Sequence, residues 1–142
     1  MDKHLVILDT NILISGLKSK KGRSYELLQR LGNEEYKIAI SVPLVLEYEA
    51  VLKKQLDRAI FTDNDINDFL NYICKIGEKT KIYYLWRPFL KDAYDDHVLE
   101  VAFSAKCKYI ITYNVKDFKG THSLGIEAIT PYEFIKRIGG TK

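Results

Sequence analysis

The stretch VILDTNIL, residues 6–13, decides how the rest of the chain is read. Leu5, Val6, Ile7 and Leu8 form a continuous apolar run, the pattern of a strand buried on both faces. Asp9, Thr10 and Asn11 then set a carboxylate, a hydroxyl and an amide side by side before three more apolar residues. Ligand chemistry in open parallel sheets gathers at the carboxyl ends of strands. The polar break is therefore read as the point where the first strand leaves the core carrying a functional acid.

Working outward, strands and helices alternate. SYELLQRLG (24–32) predicts a short helix closed by Gly32, and YKIAISV (36–42) a second strand. Pro43 suits the first turn of a helix through LVLEYEAVLKKQL (44–56). TDNDINDFLNYICKIG (62–77) starts at a capping Thr62 and stops at Gly77. KIYYLW (81–86) predicts a short strand, DDHVLEVAFSAKC (95–107) a helix, and KYIITYN (108–114) and IEAIT (126–130) further strands. TPYEFIKRIG (130–139) closes the chain with a Thr130–Glu133 capping box. This order implies βαβ units. The expected fold is α/β, a three-layer α/β/α sandwich with a mainly parallel sheet of four or five strands, in a single domain spanning 1–142.

Composition bounds the function. The 142 residues, 46% of them hydrophobic, suffice for one core, and the net charge of +3 is only mildly basic. Cys74 and Cys107 lack metal-ligand spacing and read as buried thiols in a reducing compartment. Charges bracket the short N-terminal apolar run, and no run approaches the roughly 20 apolar residues of a membrane span. A soluble, cytoplasmic protein with no membrane partner is expected. The absence of GxSxG, P-loop and dinucleotide patterns argues against serine-hydrolase, NTPase and oxidoreductase chemistry.

The acids carry the remaining signal. Asp9 ends the first strand, and Asn114 and Asp117 follow the carboxyl end of KYIIT. At about 100° per residue, Asp95 shares a helix face with Val98, Leu99 and Ala102, which makes it the inward acid, while Asp96 points about a quarter-turn away. Glu47 and Glu49 border the apolar arc of Leu44, Tyr48, Val51 and Leu52 on opposite sides, so periodicity does not choose between them. Ionised carboxylates crowd together only around a compensating charge, and hard divalent cations take such oxygen ligands while keeping several waters.

These segments resemble the PIN-domain ribonucleases, in particular the VapC-like toxin components of toxin–antitoxin pairs. LDTNILIS, VPLVLEYEAVL, DAYDDHVLEVA and IITYNVKDF are similar to the family's successive acid motifs, in order and at family-like spacing. The resemblance implies Mg²⁺- or Mn²⁺-dependent hydrolysis of RNA phosphodiester bonds with one or two ions. It makes Asp9, Glu47, Asp95 and Asp117 the catalytic acids and metal ligands, Glu47 being chosen over Glu49 on this ground alone. Asp96 binds metal through water, and Thr10, Asn11 and Asn114 orient acids or waters. It also implies an RNA substrate, a cognate antitoxin protein and a homodimer. The chain departs from common relatives at Ala93 and Tyr94, where Pro and Asp are frequent, and at Asn114, where Asp is frequent. Lys18, Lys20, Lys21 and Arg23 in KSKKGR (18–23) are candidates for the RNA backbone. Two other functions compete with the toxin: an RNA-processing PIN nuclease without an antitoxin, and an inactive RNA- or protein-binding module.

Overall fold

Val6, Ile7 and Leu8 are all buried, so both faces of the first strand are covered, as its unbroken apolar run requires. The computed structural model describes residues 4–33, 35–81, 90 and 93–138; the side chains of 93, 94 and 96 lie outside that description. The first strand, β1, spans His4–Leu8 and is followed by α1 (Thr10–Lys18), α2 (Arg23–Gln29) and β2 (Tyr36–Ile40). Next come α3 (Val42–Gln55), α4 (Asp63–Ile76), β3 (Glu78–Lys79), α5 (Ala93–Ser104) and β4 (Tyr109–Ile111). Two 3-10 turns, Val115–Phe118 and Thr121–Leu124, lead to β5 (Glu127–Ile129) and α6 (Pro131–Arg137).

The strands form one parallel sheet in the order β3-β2-β1-β4-β5. The chain steps from β1 to β2 and β3 on one side, then returns to add β4 and β5 on the other. The switch point therefore lies between β1 and β4, where such sheets open a crevice at their carboxyl ends. Helices pack on the sheet in an α/β/α arrangement. On one face the Phe134 ring of α6 meets His4, Tyr36 and Tyr109 at centroid separations of 6.2, 5.4 and 5.7 Å.

The helix ends follow their local chemistry. Ser41 caps α3, accepting from Leu44 N–H, with Pro43 in the first turn. Thr62 and Asp65 form a full capping box at α4. At α6 only half of the expected box is present. Thr130 accepts from Glu133 N–H, while the Glu133 carboxylate is drawn toward Arg137 at 3.9 Å.

Two features differ from expectation. The edge strand is Glu78–Lys79, aligned with Ala39 and Ile40; the strand expected over 81–86 falls, apart from Lys81, outside the described residues. The larger difference is α1, which begins directly at Thr10. Its sequence, TNILISGLK, buries Ile12, Leu13 and Ile14 in succession, so the apolar run of β1 reads on into it and obscures the polar stripe of Asn11, Ser15 and Lys18. Gly16 lets α2 approach. A Cβ there would stand 2.4 Å from Leu28 Cδ1 and 3.1 Å from the Ser24 carbonyl oxygen. Among the described residues, no helix is long and apolar enough to cross a membrane.

Candidate active site

Asp9 sits at the switch point because β1 ends there and α1 starts there. Its backbone N–H donates to the Ile111 carbonyl at 3.0 Å, extending the β1–β4 ladder by one bond. Its side chain caps α1, accepting from Thr10 N–H at 2.8 Å. The other carboxylate oxygen accepts the Thr112 hydroxyl proton at 2.7 Å. Thr112 immediately follows β4 and is fully buried. It also accepts from Asn11 Nδ2–H at 3.3 Å and Asn114 N–H at 3.0 Å. One donor and two acceptor sites are the whole capacity of a hydroxyl, so Thr112 is committed on every side. Tyr113 N–H reaches Asn11 Oδ1 at 3.4 Å, stitching α1 to the segment after β4 a second time.

The remaining acids arrive from three other elements. Glu47 lies on α3, whose rotation is fixed by its buried neighbour Tyr48 donating to the Leu8 carbonyl at 2.5 Å, one residue before Asp9. Asp95 is in the first turn of α5, 9% exposed, above fully buried Val98, Leu99 and Ala102. It is an inward acid within the helix, not the residue that precedes it. Asp117 lies in the first 3-10 turn, whose fold is closed by Asp117 N–H donating to the Asn114 carbonyl at 2.9 Å.

Asp9, Glu47, Asp95 and Asp117 line one cavity of about 650 Å³, together with Thr10, Asn11, Ile14, Val51, Lys54, Gln55 and Asn114. Glu49 is not in this lining and is paired with Lys53 at 2.8 Å. Asp96 is on α5, but its side chain lies outside the described ones. His97 Nδ1 stands 3.9 Å from Glu47 Oε1 at an exposed position. A second hollow of about 410 Å³, beside Phe103, Cys107 and Ile126, has no carboxylate in its lining.

The acids share a cavity, yet among the described residues no three His, Cys, Asp or Glu side chains are gathered as a ready metal cluster. Like charges do not close on one another unaided. The donor set itself suits a hard cation: it is all oxygen, and Mg²⁺ needs only one or two carboxylates beside its waters. Asp9, Asp95, Glu47 and Asp117 are the residues that could hold it.

Three participants, Thr112, Lys54 and Gln55, escaped the sequence reading. Thr112 was legible only as a hydroxyl at the carboxyl end of a strand, the place Asp9 occupies one strand away. Lys54 and Gln55 stand seven and eight residues after Glu47, so the helical repeat puts all three on one face of α3 with Val51. The basic candidates lie elsewhere. Lys18 ends α1, roughly 13 Å along the helix from Asp9 at 1.5 Å per residue, and Lys20 and Lys21 lie beyond it; all three are exposed. Arg23 is tied to Glu26 at 3.0 Å and stacked over Tyr132 at 5.2 Å.

Comparison with known proteins agrees with this architecture. No curated protein matches the sequence. Among solved structures, FitAB bound to an IR36 DNA fragment matches with a TM-score of 0.60 at 14% identity, covering 89% of this chain and 95% of the other. VapBC2 from Rickettsia felis, bound to a DNA fragment from their promoter, matches with a TM-score of 0.57 at 18% identity, covering 87% and 98%. At these identities the likeness is one of fold. The family model described as PIN domain matches residues 5–116 and so takes in β1 through the Asn114 segment. With this match over most of its length, the chain belongs to the PIN-domain family.

Proposed function

We propose that the chain is a metal-dependent endoribonuclease that hydrolyses RNA phosphodiester bonds, acting as the toxin of a toxin–antitoxin pair. The observation that carries the nuclease reading is the single cavity into which four different elements bring Asp9, Glu47, Asp95 and Asp117. A divalent cation held by these carboxylates would supply a more acidic water and offset charge on the phosphate.

The protein's own contribution is placement. Asp9 and Asp95, the buried pair among these four, would hold Mg²⁺ or Mn²⁺ together with Glu47 and Asp117. Glu47 and the exposed Asp117 are suited to accept the attacking water's proton; Asp96 is the candidate for a water-mediated contact. The water oxygen bonds to phosphorus, one ester P–O bond breaks, and the departing alkoxide takes up a proton. Thr10, Asn11 and Asn114 keep the acid at the end of β1 in register with the turn after β4. The toxin assignment rests on the sequence resemblance, supported by the shared fold with the FitAB and VapBC2 structures, both described as bound to DNA. A cognate antitoxin and a homodimer belong to the same reading.

The test is incubation of the purified protein with labelled single-stranded RNA, with Mg²⁺, Mn²⁺ or EDTA. Cleavage confined to the metal-containing reactions is expected, and undiminished cleavage after thorough chelation overturns the metal-dependent mechanism. Growth arrest on expression, relieved by a small protein encoded next to it, is the expected sign of a toxin; an unaffected host overturns that part alone.

A further inference from the structure

We infer that Lys54 is a contact for a phosphate of the RNA strand inside the acid-lined cavity, an inference that rests on the nuclease reading above. Lys54 lies on the α3 face that carries Glu47 and Val51 into the cavity, and among the described residues lining it Lys54 is the cation. Its neighbour Lys53 points to a different partner, Glu49, at 2.8 Å. No described carboxylate is ion-paired with Lys54, although Asp9, Glu47, Asp95 and Asp117 line the same hollow. Its side chain is exposed, so the ammonium remains hydrated and available to an incoming anion.

The electrostatics give this cation a specific task. A polyanion approaching several carboxylates is repelled, and a cation bound among the acids offsets that only at the phosphate it touches. An ammonium on the α3 wall, on a flexible stem, attracts that phosphate or the next one as a point charge. Lys18 at the end of α1, roughly 13 Å along the helix from Asp9, and the lysines after it reach only more distant phosphates.

The experiment measures binding of a fluorescein-labelled single-stranded RNA by anisotropy, with Ca²⁺ in place of Mg²⁺, across a KCl series. Wild type, Lys54→Gln, Lys54→Met and Lys53→Gln are compared, with melting curves for each. Loss of one phosphate contact flattens the slope of log affinity against log salt by about 0.7 for a single strand. That flattening in both Lys54 variants, with Lys53→Gln close to wild type, is expected, together with a raised KM in cleavage assays. An unchanged slope overturns the inference. Unchanged slope with a lower melting temperature in EDTA would identify Lys54 as a built-in counter-charge for the acids. Wild-type protein that does not bind RNA at all overturns the nuclease reading itself, a result distinct from failure of the lysine contact.

Discussion

The Thr112 hydroxyl donates to Asp9 Oδ2 at 2.7 Å, joining two residues 103 positions apart in sequence. Each follows a central strand directly, and β1 and β4 are hydrogen-bonded neighbours. The bond therefore spans the switch point of the sheet, and the Asp9 carboxylate is fixed from both sides of it.

Thr112→Val should leave the fold in place but lower RNA cleavage by 10- to 100-fold, the usual cost of losing a group that orients a metal ligand. The buried carboxylate oxygen loses a donor, at roughly 1–3 kcal/mol of stability. Thr112→Ser restores the hydroxyl and should recover most of the activity. A valine variant as active as wild type shows that Asp9 needs no such anchor.

Asp9→Asn should abolish cleavage while keeping the fold, because asparagine caps a helix as well as aspartate does. Removing one charge from the acid-lined cavity should raise stability in EDTA by on the order of 1 kcal/mol. The added stabilisation by Mg²⁺ should shrink, since only binding to the native state stabilises it. Melting curves with EDTA and with excess Mg²⁺ separate the two effects. If Asp9→Asn unfolds while its folded fraction still cleaves RNA, Asp9 is structural.

Glu47→Gln should reduce cleavage far more than Glu49→Gln. Only Glu47 lines the cavity, whereas Glu49 is a partly exposed partner of Lys53, and such pairs contribute about 0–1 kcal/mol. Equal losses in the two variants, measured on the same RNA, contradict the placement of α3.

Burial holds the Cys107 thiol protonated, pushing its pKa from the ordinary value of 9.0 up to about 12. Between these values the unfolded chain loses the proton and the folded chain keeps it, so stability present below pH 9 is lost as pH rises toward 12. Cys107→Ala should show a shallower alkaline decline in denaturant titrations. At pH 8, iodoacetamide should label the half-buried Cys74 well before Cys107. Equal labelling rates in native protein rule this out.

Much of the fold was legible because its signals are local. An unbroken apolar run marks a strand covered on both faces, capping residues mark where helices start, and their alternation implies a parallel sheet. The same local logic placed Asp95 inward, since Val98, Leu99 and Ala102 repeat at helical spacing. Helix α1 is harder to read for an equally local reason: it starts directly after the strand with three successive apolar residues, which mask the helical spacing of Asn11, Ser15 and Lys18.

What the sequence determined by itself was the inventory: the apolar β1, the acid that ends it, and the order of motifs resembling the PIN family. Tertiary structure decided which of those groups meet. Glu47 and Glu49 flank the apolar arc alike, and the choice follows from how α3 is rotated against β1, with Tyr48 bonded to the Leu8 carbonyl. Lys54 joined the cavity through the same rotation, while KSKKGR was carried away by the length of α1. Thr112 acquired its role only when β4 paired with β1. Local periodicity fixes the face of an element on which a side chain stands, but the partner of that face is set by packing between segments distant in sequence.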